Sequence, residues 1–242
     1  MTERVAHRPA AEAVGAVDYP GRGLILGLNR SGSHAAAVYF IMGRSENSRN
    51  RVFVCEDETL RTEAADPSRV SDPSLIIYRA VRRFGDQLIV TNGDQTDTVY
   101  DALARGESFE AALRTREFEP DAPHYTPRIS GLLPLKSGNG PIRLALLKAQ
   151  DDSGTRCARQ FFEYEPVSDQ AWYLHTYREN GAVLPPFEGE PEAVCLPETI
   201  DEAAEALWQG LDENNRISLY VRYTDRHSGK TEERVINRYT RK

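Results

Sequence analysis

Tyr19-Pro20-Gly21-Arg22-Gly23-Leu24-Ile25-Leu26 opens the stretch that decides the fold. It continues through Ala35-Ala36-Ala37-Val38-Tyr39-Phe40-Ile41-Met42 into Gly43-Arg44-Ser45-Glu46-Asn47-Ser48-Arg49-Asn50-Arg51. Two apolar runs with β-branched and aromatic residues read as buried strands. They feed a polar segment of arginines, asparagines and serines, and Val52, Phe53 and Val54 resume the apolar texture behind it. An arginine fork fits phosphate or carboxylate, and asparagine and serine add neutral hydrogen bonds beside it. A polar turn between rigid strands is where a scaffold presents a binding site, although a solvated hairpin loop would look similar.

Outward from this stretch the pattern is strand after strand. Leu24–Leu28, Ala35–Met42, Arg51–Cys55, Leu75–Val81 and Leu88–Val90 read as strands, the last two as a hairpin around Phe84-Gly85-Asp86. Thr59–Asp72, polar and interrupted by Pro67, reads as a loop. Thr91-Asn92-Gly93-Asp94-Gln95-Thr96-Asp97-Thr98 leads into helical runs through Val99 and Leu103 and from Phe109 to Arg116. Such a helix start either attracts an anion or is capped by its own Asp94 and Thr96. A proline-punctuated loop from Glu117 to Arg128 follows. Strands are then predicted at Ile129–Leu135, Ile142–Ala149, Cys157–Glu165, Trp172–Tyr177, Arg216–Tyr223 and Glu233–Tyr239. Thr199-Ile200-Asp201-Glu202 is a capping box for a helix to about Trp208 that buries Ala203, Ala206 and Leu207. Residues 1–18 read as a loose tail or short edge element. About ten strands in hairpin succession with three or four helices define an α+β protein of large antiparallel sheets.

The chain has 242 residues, and no linker divides it, so one domain over 1–242 is expected. A domain of that size buries roughly 70% of its unfolded surface and needs no disulfide staple. Cys55, Cys157 and Cys195 are odd in number and far apart, which suits a reducing compartment. With charged residues throughout the first twenty positions and no membrane-length apolar run, the reading is a soluble cytoplasmic protein. The net charge of −7 argues against a nucleic-acid partner, which calls for a basic domain. His7, His34, His124, His175 and His227 show no ligand spacing, so no metal is expected.

Taken in order, six segments resemble the archaeal-type IMP cyclohydrolase family. They are Tyr19-Pro20-Gly21-Arg22-Gly23, Gly43-Arg44-Ser45 with Asn50-Arg51, Asp72-Pro73 with Tyr78-Arg79, Thr91 to Thr98, Thr126-Pro127-Arg128-Ile129 and Thr176-Tyr177. They span most of residues 19–180, and the part after about Leu184 carries little of the resemblance. What it implies is a four-layer αββα sandwich like that of N-terminal-nucleophile (NTN) hydrolases, without their self-cleavage. The implied activity closes the purine ring of a formamidoimidazole-carboxamide ribonucleotide to give IMP and water, with no cofactor. By motif position Arg44, Tyr78 and Glu119 would form the catalytic group, Arg44 and Tyr78 on the formyl oxygen and Glu119 in proton transfer. Arg22, Ser45, Asn47, Arg49, Asn50, Arg51, Asn92, Asp97, Thr98, Thr126 and Arg128 would contact phosphate and ribose. The closing Asn-Arg of the 44–51 loop is displaced by about two residues, so Arg49 and Arg51 compete for one role. The partner would be a small purine nucleotide, with room for a homo-oligomer. Two alternatives stay open: a nucleotide-binding protein without catalysis, and an NTN amidohydrolase using an exposed Thr2.

Overall fold

The computed structural model describes residues 7–70 and 76–241. Thr2 and the Asp72-Pro73 pair lie outside the described residues. In chain order the elements are β1 (Arg8–Pro9), α1 (Ala10–Val14), β2 (Arg22–Leu28), β3 (His34–Met42), α2 (Glu46–Arg49), β4 (Val52–Glu56), β5 (Thr59–Glu63), β6 (Arg79–Phe84), β7 (Gln87–Thr91), α3 (Gln95–Ala104) and α4 (Phe109–Arg114). Then come β8 (Arg128–Pro134), β9 (Ile142–Ala149), β10 (Cys157–Tyr164), β11 (Ala171–His175), β12 (Glu192–Cys195), α5 (Ile200–Gly210), β13 (Arg216–Asp225) and β14 (Thr231–Asn237).

These strands make two seven-stranded sheets. One runs β1-β12-β11-β2-β3-β13-β14 and the other β10-β9-β8-β7-β6-β5-β4. Strand pairing is antiparallel except between β1 and β12. In β3 the side chains alternate strictly: Ala35, Ala37, Tyr39 and Ile41 join the core between the sheets. Ala36, Val38, Phe40 and Met42 join the core beneath α1 and α5. β9 behaves likewise, with Leu144 and Leu146 inward and Ala145 and Leu147 against α3 and α4. A sheet covered on both faces needs apolar residues at every position, which is why these strands read as unbroken apolar runs. The outcome is four layers: α1 and α5, the first sheet, the second sheet, then α3 and α4.

The sheets approach closely where side chains are small. A Cβ at Gly131 on β8 would meet Leu26 of the facing sheet at 2.3 Å, so glycine there lets Leu26 seat. The predicted capping box opens α5, with Thr199 accepting from the Glu202 N–H. Its buried face uses Ala203, Ala204 and Leu207, and Ala206 is only half-buried.

One expectation is corrected and two short elements are added. Thr59–Glu63 is a strand, not a loop, paired to β4 and β6 through an alternation in which Leu60 and Thr62 are buried. Glu192–Cys195 adds a short strand, and residues 46–49 of the arginine loop close one helical turn. The short edge element expected within residues 1–18 is β1, and α1 after it packs into the α5 core.

Candidate active site

Arg22 opens β2 and Arg128 opens β8, so each sheet delivers a guanidinium at a strand start. Arg51 immediately precedes β4, and Glu119 sits in the loop between α4 and β8. All four side chains are buried, as is Tyr78 just before β6. Burying charge is costly unless opposite charge accompanies it. Here the groups act on one another: Glu119 feels Arg22, Arg128 and Arg51, and Arg22 feels Tyr19, Tyr177, Glu119 and Tyr78.

Burial raises the Glu119 carboxyl above its ordinary value, against the pull of Arg22 and Arg128. Burial and the like charge of Arg22 together lower Arg51. Three buried cations, Arg22, Arg51 and Arg128, thus face one carboxyl whose charge is itself opposed by burial, and such a centre favours an incoming anion. The Nε atoms of Arg22, Arg51 and Arg128 are buried with no hydrogen-bond partner among the described residues.

Local structure holds each group. Glu119 N–H donates to the Thr126 carbonyl at 2.9 Å, and Asp121 accepts from the Thr126 N–H at 2.6 Å. The Thr126 hydroxyl meets the Tyr177 hydroxyl at 2.6 Å. Gly21, at φ +76°, leaves no room for a Cβ against Thr176 and Tyr177, which lets the chain enter Arg22 beside them. Tyr78 is pinned through its main chain: its N–H donates to Thr62 Oγ1 at 3.1 Å and its carbonyl accepts the Thr62 N–H at 2.9 Å. The Tyr78 hydroxyl lies 2.8 Å from that of Tyr39.

Arg44 lies at the rim of this cluster. It donates to Asn180 Oδ1 at 2.6 Å and to the Gly181 carbonyl at 2.7 Å, with its guanidinium 4.8 Å from the Tyr19 ring centroid. Tyr19 stacks on Tyr177, so Arg44 is joined to the Thr126–Glu119 wall through two aromatic rings.

Between the two competing arginines, Arg51 is in the buried cluster. Arg49 is the last residue of α2, donates to the Arg44 carbonyl at 3.4 Å and lines a separate cleft of about 720 Å³ with Arg69, Arg238 and Arg241. None of Arg22, Arg51, Tyr78 or Glu119 lines that cleft. Ser45 is the N-cap of α2, accepting from the Ser48 N–H, and Asn47 is exposed. The Asn50 side chain ties the loop to Asp66, bonding both its N–H and its carbonyl.

The turn after β7 is a rigid shelf. Asn92 donates to the Pro127 carbonyl at 2.9 Å and accepts from the Ile129 N–H at 2.9 Å. Arg128 donates to Asp94 at 2.8 Å and to Gln95 at 2.6 Å. Asp94 gives α3 no side-chain cap; it pairs with Arg116 and Arg128 instead. Asp97 pairs with Arg79 and Arg82, and Thr98 accepts from Arg116 at 3.4 Å, so these two brace α3 against β6 and α4.

Tyr39, Tyr177, Asp121 and Thr62 were not among the candidate site residues read from the sequence. Tyr177 had a signal in the Thr176-Tyr177 segment, whereas Tyr39 and Thr62 look like ordinary strand residues. Among the described residues there is no group of three or more His, Cys, Asp or Glu placed to hold a metal ion. No helix there is long and apolar enough to cross a membrane.

The two-sheet α+β sandwich thus gathers buried arginines, a phenol and a carboxyl in one cluster. Residues 19–229 match the sequence model of the IMP cyclohydrolase-like protein family, and the chain belongs to that family. It is similar to an IMP cyclohydrolase of Methanopyrus kandleri, 35% identical over 115 residues, covering 46% of this chain and 57% of that protein. The IMP cyclohydrolase of Methanothrix thermoacetophila is 27% identical over 167 residues, covering 67% of this chain and 76% of that one. That of Haloquadratum walsbyi is 27% identical over 129 residues, covering 52% and 62%. The matched region therefore spans less than two thirds of the Methanopyrus and Haloquadratum proteins.

Proposed function

We propose that this chain is an IMP cyclohydrolase, closing the purine ring of formamidoimidazole-carboxamide ribonucleotide to IMP with loss of water. The observation that carries the reading is the buried, mutually acting set Arg22, Arg51, Tyr78 and Glu119 in a member of this family.

The carboxamide nitrogen is a poor nucleophile, so its approach to the formyl carbon must be held in place, which can contribute several kcal/mol. As the C–N bond forms, the formyl oxygen takes up negative charge. Tyr78 and Arg51 donate to it there, with Arg44 at the rim completing the catalytic group by fastening residues 180–181 beside the nucleotide. Glu119 takes the proton that leaves the nitrogen. Glu119 returns that proton to the formyl oxygen, making a hydroxyl; it then takes the N–H proton of the formamido nitrogen and delivers one to the hydroxyl, which departs as water as the C=N bond forms. Burial raises the Glu119 pKa above its ordinary value, which favours a carboxyl that picks up a proton and returns it.

Arg22, Arg128, Thr126, Ser45, Asn47 and Asn50 contact phosphate and ribose in this reading, and Arg49, which lines the separate cleft, does not. Asn92, Asp97 and Thr98 act behind Arg128 and α3. The reading also takes the sandwich as NTN-hydrolase-like, one domain over 1–242, cytoplasmic, with a purine nucleotide rather than nucleic acid as partner and a homo-oligomer as an open state. Ring closure changes the ultraviolet absorbance of the heterocycle. Purified protein mixed with the formamido nucleotide is expected to produce IMP well above the uncatalysed rate, and no acceleration would refute the activity.

A further inference from the structure

Tyr39 lies in the middle of β3, wholly buried, with its ring stacked on Phe53 at 5.4 Å between centroids. A phenol held out of water has one O–H that must find an acceptor. Among the described residues its hydrogen-bond partner is the Tyr78 hydroxyl, 2.8 Å away. The charged groups acting on Tyr39 are Arg22 and Arg51, and guanidinium groups donate without accepting. The Tyr39 proton is therefore directed to the Tyr78 oxygen. Tyr78 accepts in that bond, which leaves its own O–H free of the pair. Tyr78 acts on both Arg22 and Arg51, which places that free O–H among the buried groups of the site.

Resting on the proposed cyclohydrolase activity, we infer that Tyr39 is a positioning residue: its hydroxyl fixes Tyr78 as a donor toward the formyl oxygen. With the pair reversed, Tyr78 would present a lone pair to an oxygen gaining negative charge, which repels. A donor that is itself accepting a hydrogen bond is also polarised into a better donor. Tyr39 touches no reacting atom; it sets the polarity of the phenol that does.

The test is a double-mutant cycle on turnover with Tyr39→Phe, Tyr78→Phe and the double variant. Tyr39→Phe keeps the ring and its stacking on Phe53. It is expected to lower kcat about tenfold, one neutral hydrogen bond's worth, with KM near wild type. In the Tyr78→Phe background the same change is expected to cost nothing further, because its effect passes through Tyr78. An unchanged kcat in Tyr39→Phe, or an equal loss in both backgrounds, overturns the assignment while leaving the activity standing. An inactive wild type overturns both. Should Tyr39→Phe fail to fold, the Tyr39 hydroxyl proton, followed by NMR, is expected to shift in Tyr78→Phe, and an unmoved resonance overturns the assignment.

Discussion

The carboxamide of Asn237 on β14 is paired with the main chain of Phe53 on β4: Oδ1 accepts the Phe53 N–H at 2.8 Å and Nδ2 donates to the Phe53 carbonyl at 2.9 Å. β14 and β4 are edge strands of opposite sheets, so one side chain stands in for a strand and closes the seam between them. Asn237→Ala leaves both Phe53 groups without that partner. It is expected to lower stability by roughly 1–3 kcal/mol, read from denaturant midpoints. An unchanged midpoint would show that the seam is held by other contacts.

His175 supplies an acid limit to stability. Burial holds its pKa at about 4, down from 6.5, and its neutral ring donates from Nδ1 to the Tyr177 carbonyl at 2.8 Å. Between those values the unfolded chain binds a proton that the folded chain refuses, so stability rises with pH there. Full stability is present above about 6.5 and is lost as pH falls toward 4, by about 3 kcal/mol in all. Thermal melts of His175→Asn should lack this portion of the acid slope; an identical slope would assign it elsewhere.

Arg51 and Arg49 separate by function. Arg51→Lys keeps the charge and loses the planar fork, and is expected to lower kcat/KM by about a hundredfold. Arg49→Ala, altering a side chain outside the buried cluster, should stay close to wild type. Equal effects in steady-state assays would contradict the assignment of Arg51 to the formyl oxygen.

Much of this architecture is written in the chain, and the gaps have physical causes. β2, β3, β8 and β9 read clearly because both of their faces are covered. β5 does not, since only Leu60 and Thr62 of its five residues are buried and the rest is polar. Arg22, Tyr78, Glu119, Thr126 and Arg128 were named through the family resemblance, and Tyr78 lies in the apolar run Leu75–Val81, which by itself reads as plain strand. The choice between Arg49 and Arg51 was not legible, because it depends on the Ser45–Ser48 capping box closing one helical turn that ends at Arg49. Tyr39 was hidden for a different reason. Strand periodicity tells which face a side chain takes, but not which partner waits across the sheets.

The most direct test is turnover and nucleotide binding by Glu119→Gln. Glutamine preserves the shape of the side chain and removes the exchangeable proton. The expected result is ring closure reduced by about a hundredfold or more, with IMP still bound at near wild-type affinity by the untouched arginines. Ring closure at the wild-type rate in this variant would contradict a mechanism built on the buried carboxyl.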